Sequence, residues 1–327
     1  MLVPDEARKC VVFVCYKAHS GFRLAGTAFF VSVQPAEDFQ LYAVYLVTAK
    51  HVIVDAKQES IDGSVWLRVN DRSGGSFMVE TPVDDWVGHP DDTSVDASVL
   101  AWAPRSDQVE YLCIPDTMTA TDEIIDREDI GPGDEIFLTG LFVNHVGRNR
   151  NLPIIRIGNI ALMPEERIAT RHFGSIEAYL VEARSIGGLS GSPVFVHVSG
   201  IRKDTLDLGR DVFYWLGLMH GHWDMPVDTS SPDAAIADTP EKEAVNMGIA
   251  MVVPATQIVE IIDQPMFKNA REEEMKQLCE SSLPAEDSTT TYEGKEVLTK
   301  DDFEQALRKV NRPNEQEDQP DEGKSET

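Results

Sequence analysis

Ser190 stands in Gly187-Gly188-Leu189-Ser190-Gly191-Ser192-Pro193, just ahead of the apolar run Val194-Phe195-Val196. A serine between glycines on a tight turn can expose its hydroxyl beside bare backbone N–H groups. Acyl transfer needs that pairing of nucleophile and oxyanion donor. The hydroxyl is a poor nucleophile until a base takes its proton, and imidazole is the base that titrates near neutrality. His51 follows Tyr45-Leu46-Val47-Thr48-Ala49-Lys50 and so comes off the end of an apolar strand. The imidazole in turn needs a carboxylate to hold its tautomer and stabilise its cation. Asp96 supplies one at the mouth of Ala97-Ser98-Val99-Leu100. Taken singly, each residue has an ordinary structural explanation, since glycine and serine are usual in loops. The weight comes from three complementary groups in matching strand contexts, in the chain order His, Asp, Ser.

The elements that must position them read as short strands. Apolar runs at 10–16, 24–33, 41–48, 64–69, 76–80 and 97–102 alternate with turn residues. A second set occupies 135–142, 154–162, 178–182, 194–197, 214–219 and 247–252, followed by an amphipathic helix beginning at Pro254. Short strands at this spacing predict an all-β protein of two six-stranded antiparallel barrels with a C-terminal helix. The expected division is a first barrel over 8–103, a connection over 104–131, a second barrel with its closing helix over 132–265, and an acidic tail over 266–327. The tail is poor in apolar residues, which predicts partial disorder. One amphipathic helix is expected within it at 298–310, capped by Thr299, with Phe303, Ala306, Leu307 and Val310 on one stripe.

The three segments resemble the His, Asp and Ser motifs of trypsin-like serine proteases of the chymotrypsin fold. Gly26-Thr27-Ala28-Phe29-Phe30-Val31 is similar to the strand before the histidine in bacterial members. Gly133–Gly140 is similar to the strand that opens their second barrel. Met247–Pro254 resembles the strand before the closing helix of HtrA-type enzymes. Gly191-Ser192-Pro193-Val194-Phe195 is nearer to glutamyl endopeptidases. The resemblance spans roughly residues 8–265. It implies a serine endopeptidase with His51, Asp96 and Ser190 as triad, and an oxyanion hole at the N–H groups of Gly188 and Ser190. It places Arg184, Met219 and His220 at the substrate pocket. Arg184 would favour acidic substrate residues if it faces the pocket, or would pair with surface acids if it faces outward. Leu189 departs from the pattern, because trypsins carry there an aspartate that pairs with a new N-terminus after cleavage. Leucine cannot form that ion pair, so no N-terminal processing is expected, and the order of the loop falls to local packing.

The formal net charge of the 327 residues is −27. The last 60 residues carry 17 acids and 9 bases, a net −8, and the first 267 carry 39 acids and 20 bases, a net −19. The acidity therefore belongs mainly to the folded part. It argues against nucleic acid and anionic membranes as partners. No apolar run reaches membrane-helix length, and the first residues lack the pattern of a signal peptide. Cys10, Cys15, Cys113 and Cys279 do not flank the candidate site as half-cystines would, so they are read as reduced thiols in a cytoplasmic protein. Cofactors and metals are not expected, and His220 and His222 alternating on one strand read as wall residues before metal ligands. The expected partner is a protein or peptide substrate. The acidic tail or the 224–246 loop could also seat a regulatory partner.

Two rivals differ in chemistry. An α/β-hydrolase needs a GxSxG elbow followed by an acid and then a histidine, with helices between its strands. Here Ser192 takes the fifth place of the elbow, the later histidines His197, His220 and His222 leave too cramped a spacing, and alternating helices are lacking. A catalytically silent or partner-activated binding protein on a protease fold is the alternative that the sequence leaves standing.

Overall fold

The fold is that of a computed structural model describing residues 3–34, 42–170, 174–183, 188–202, 205–226 and 244–281. The first half carries β1 (Val11–Ala18), β2 (Gly21–Val33), β3 (Ala43–Thr48), β4 (Val65–Asn70), β5 (Ser76–Thr81), β6 (Val87–Gly88), β7 (Ser98–Ala101) and β8 (Ile114–Pro115). The second carries β9 (Glu135–Gly140), β10 (Ile154–Leu162), the small hairpin β11 (Ile168–Thr170) and β12 (Gly174–Ile176), then β13 (Tyr179–Glu182), β14 (Pro193–Arg202), β15 (Thr205–Pro226) and β16 (Ala244–Pro254). The described residues also include the α-helices α1 (Lys50–Glu59), α2 (Asp122–Glu128), α3 (Ala255–Ile262) and α4 (Pro265–Ser281).

One strand order occurs twice. The second half is a closed barrel in the order β9-β10-β13-β16-β15-β14, which is first, second, third, sixth, fifth, fourth in sequence. The longer strands of the first half run β5-β4-β1-β2-β3-β7, the same cycle cut between its fifth and sixth members. The two-residue strands β6 and β8 add to β7 and β2. The fold class read from the sequence is therefore present, with two qualifications. The first sheet has eight strands rather than six, and its hydrogen-bonded ladder ends at β5 and β6 rather than closing.

Alternation on the strands explains which faces are buried. In β4, Val65, Leu67 and Val69 face inward while Trp66, Arg68 and Asn70 stay half-exposed. The interior of the second barrel is filled by Ile136, Leu138, Val181, Val194, Val196, Leu216 and Val252. Between the halves, Phe29 of β2 meets Trp215 of β15 edge to face, with centroids 5.6 Å apart. That pair ties the halves together beyond what its buried area contributes. Within the second barrel, Phe137 of β9 stacks on Phe195 of β14 with centroids 4.7 Å apart.

Two helices fall outside the elements read from the sequence. α1 forms although Val52-Ile53-Val54 is β-branched and of low helix propensity. Val52, Ile53 and Ala56 are buried on one stripe, and that packing overrides propensity. α4 extends to Ser281, well past the start of the expected tail. Buried Arg271 anchors it by donating to the Tyr45 hydroxyl at 2.7 Å and the Ile262 carbonyl at 2.9 Å, and Phe267 packs edge-on to Tyr45. The 298–310 helix and most of the 224–246 loop lie outside the described residues.

Candidate active site

His51 is the second residue of α1. The residue before the helix, Ala49, has no side chain to cap it, so the first N–H groups need a partner from elsewhere. Asp96 provides one: its Oδ1 accepts the His51 backbone N–H at 2.8 Å. A buried carboxylate at this place also opposes the positive end of the helix dipole. The other oxygen, Oδ2, meets His51 Nδ1 at 2.6 Å. Asp96 thus holds both the main chain and the ring of His51.

A second imidazole shares that oxygen. His220, on β15, places its Nδ1 2.6 Å from Asp96 Oδ2. The two rings meet edge to face with centroids 5.5 Å apart. Asp96 is fully buried, whereas the His51 side chain keeps 23% of its surface. Burial alone would raise the Asp96 pKa, but the hydrogen bonds from His220 and His51 outweigh it and hold the carboxyl down at about 2. The His51 pKa lies above the ordinary imidazole value. Burial opposes this, and the hydrogen bond and charge of Asp96, with Asp55 further off, overcome it.

These facts fix the tautomer. An ionised carboxylate only accepts, so each Nδ1 facing it must carry hydrogen. Neutral His51 is then a Nδ1–H imidazole whose acceptor is Nε2, the form a general base requires.

Ser190 lies on a loop pinned by three main-chain hydrogen bonds, to Thr27 on one side and Met219 on the other. Its carbonyl accepts the Thr27 N–H at 3.0 Å, the Gly191 N–H donates to the Met219 carbonyl at 2.8 Å, and the Met219 N–H donates to the Ser192 carbonyl at 2.8 Å. Gly191 has φ +83°, and a Cβ there would lie 2.1 Å from the Thr27 carbonyl and 3.2 Å from the Ala49 nitrogen. Only glycine fits so close an approach in that conformation. At Gly26 a Cβ would meet both Val52 Cγ1 at 2.8 Å and the Ser190 carbonyl at 3.0 Å. Ala49 and Val52 bracket His51, and Met219 adjoins His220. The serine loop is therefore seated on the main chains that carry both imidazoles.

Of the residues expected at the site, His51 and Asp96 are in direct contact, and Gly188 and Ser190 lie on the loop that Thr27 ties down beside them. Arg184 lies outside the described residues. Met219 is corrected: it was expected on a pocket wall, but its side chain is fully buried in the second barrel's interior, and it reaches the site through its main chain. His220, expected on the same wall, is instead buried against Asp96. That pairing was missed, since a histidine on an apolar strand gives no address for a partner 124 residues away. Thr27 was missed as well, because threonine in a strand is unremarkable by propensity.

Among the described residues, His51, Asp96 and His220 form the one cluster of potential metal ligands, with donor atoms within 4.8 Å of one another. The two N···O separations of 2.6 Å are shorter than the roughly 3.3 Å between ligands around a tetrahedral zinc. The cluster is spaced for shared protons. Cys10, Cys15 and Cys113 are free thiols. Burial pushes the Cys15 and Cys113 thiols up to about 12 and Cys10 well above its ordinary value, so none is poised as a nucleophile. No helix among the described residues is long and apolar enough to cross a membrane.

Neither a protein-family model nor a curated protein sequence matches the chain. Solved structures do show similarity at low identity. Deg5 is 18% identical, with 78% of this chain and 87% of that one covered and a TM-score of 0.42. An inactive serine-to-alanine mutant of Rv3671c from M. tuberculosis is 14% identical, covering 80% and 95%, at 0.38. The thermostable serine protease AL20, from an extremophilic microorganism, is 12% identical, covering 78% and 95%, at 0.40. At these scores the superpositions carry no weight of their own, and the fold stands on its repeated strand order.

Proposed function

We propose that the chain is a serine endopeptidase that cleaves protein or peptide substrates through a covalent acyl-enzyme. The observation that carries this reading is the grip of buried Asp96 on both the N–H and the Nδ1 of His51, which commits Nε2 to the role of base. In this scheme Ser190 Oγ attacks the peptide carbonyl and His51 Nε2 takes its proton. The N–H groups of Gly188 and Ser190 receive the developing oxyanion, and His51 returns the proton to the leaving amine. Water then repeats the sequence on the acyl-enzyme. No cofactor takes part, and the free thiols suit a reducing cytoplasm.

The test is reaction with a fluorophosphonate probe, which labels only an activated serine. Labelling at Ser190 that disappears in Ser190→Ala supports the reading. A folded wild-type protein that stays unlabelled favours the second reading, a catalytically silent or partner-activated protein on the same fold. Leu189 is the feature that keeps this second reading in play, because it removes the usual ion pair beside the nucleophile. Cleavage profiling on a peptide library tests the acidic preference that Arg184 would impose, and a preference for Leu, Phe or Arg before the scissile bond rejects it.

A further inference from the structure

We infer that Thr27 is the positioning residue that keeps the Ser190 loop ordered where no ion pair at residue 189 can do so. The inference rests on Ser190 being the nucleophile. Thr27 sits on β2 with no exposed surface, and every polar group it owns is used. Its N–H donates to the Ser190 carbonyl at 3.0 Å. Its hydroxyl donates to the Gly188 carbonyl at 2.9 Å and accepts the Leu141 N–H at 2.9 Å. Its own carbonyl accepts the Thr48 hydroxyl at 2.6 Å.

The pattern has a mechanical consequence. The carbonyls of Gly188 and Ser190 belong to the peptide planes on either side of the plane that carries the Ser190 N–H. The middle plane is itself held by its Leu189 carbonyl, which accepts the Ser192 N–H at 3.0 Å. With both outer planes tethered to one buried residue and the Leu189 side chain fully buried, it has little freedom to rotate. The Ser190 N–H is an oxyanion donor only in one orientation, and the Thr27 clamp acts with that turn to set its aim. Thr48 ends the strand that leads to His51, and Leu141 follows β9 of the second barrel. Thr27 therefore ties the nucleophile loop to the base and to both halves of the molecule at once.

Valine at this position keeps the shape and deletes the hydroxyl, leaving the Gly188 carbonyl and the Leu141 N–H without it. Serine keeps the hydroxyl and deletes the methyl. Thr27→Val is expected to lower the fluorophosphonate reaction rate and kcat about 10- to 100-fold, with KM changed far less. Thr27→Ser should stay within about threefold of wild type, because it retains the hydrogen bonds. Hydrogen exchange supplies a readout independent of activity: amides of the 188–192 loop should exchange faster in Thr27→Val and as in wild type in Thr27→Ser, with the strands of the second barrel unchanged. Equal loss in both variants would assign the effect to the methyl group and overturn the inference, as would a Thr27→Val protein with wild-type rate and loop protection. If Thr27→Val does not fold, Thr27→Cys takes its place, since a thiol is a weak hydrogen-bonding group of similar volume, and the same outcomes apply. Absence of labelling in wild type would instead strike at the nucleophile assignment, and the exchange data would still judge the clamp.

Discussion

Replacing Asp96 by asparagine removes one charge and almost no volume, and the geometry shows why that is severe. The carboxylate serves three donors: the His51 N–H at Oδ1, and the Nδ1 atoms of His51 and His220 at Oδ2. An amide has one oxygen. If that oxygen faces the backbone N–H, the NH₂ group faces both rings, and each Nδ1 must become an acceptor. The proton of His51 then sits on Nε2, and the ring cannot accept one from a serine. If the amide flips, its NH₂ confronts the His51 N–H at 2.8 Å and the start of α1 loses its cap. The first arrangement costs rate and the second costs stability. The expected loss in the fluorophosphonate rate constant at neutral pH is about 10³- to 10⁴-fold, equivalent to about 4–5 kcal/mol of barrier. The depressed pKa of Asp96, about 2, corresponds to about 2 kcal/mol of stability near neutrality that the variant forgoes. The assay is the second-order labelling rate across pH, with thermal unfolding as the control for fold. A folded Asp96→Asn protein that reacts within about tenfold of wild type would refute the claim that Asp96 sets the state of His51.

The pH dependence of the wild-type protein follows from the same groups. His51 must be neutral to act, and its pKa is raised, so the labelling rate should climb through an apparent pKa above 6.5; a limb below that value contradicts the contact with Asp96. For stability, Asp96 has a lowered folded pKa, so its contribution is complete above the ordinary carboxylate range and is lost as pH falls toward about 2. His51 has the opposite sign, stabilising below its ordinary pKa and ceasing to do so as pH rises through the raised one. Denaturant titrations from pH 7 down to 2 should show the acid-side loss, and Asp96→Asn should flatten it. Gly191→Ala should destabilise by about 2 kcal/mol or more, from the left-handed backbone and the clash with the Thr27 carbonyl. An unchanged melting temperature in that variant would mean the loop is not seated as described.

Much of this site was legible because chemistry constrains residue type more tightly than position. A serine between glycines, a histidine at a strand end and an acid at a strand mouth announce complementary roles, and strand alternation reads directly in β4. What escaped depended on tertiary partners. α1 contains a β-branched run that propensity assigns to strand, and only its buried stripe and the tertiary cap from Asp96 make it a helix. The union of Asp96 with His220 joins a residue just ahead of β7 to the interior of β15, and the sequence does not encode how those segments meet. Thr27 matters through where its hydroxyl points, which period-two patterning does not reveal. Met219 shows the converse: expected on a pocket wall, it is buried in the second barrel's core, on a strand whose pairing with β16 shifts register immediately after it.

The most direct test of the central claim is mass mapping of the folded protein after fluorophosphonate treatment at pH 8. The account predicts a single adduct on the peptide containing Ser190, formed by wild type and lost in Ser190→Ala without loss of fold. A folded wild-type protein with no adduct, or an adduct that persists in Ser190→Ala, would contradict it.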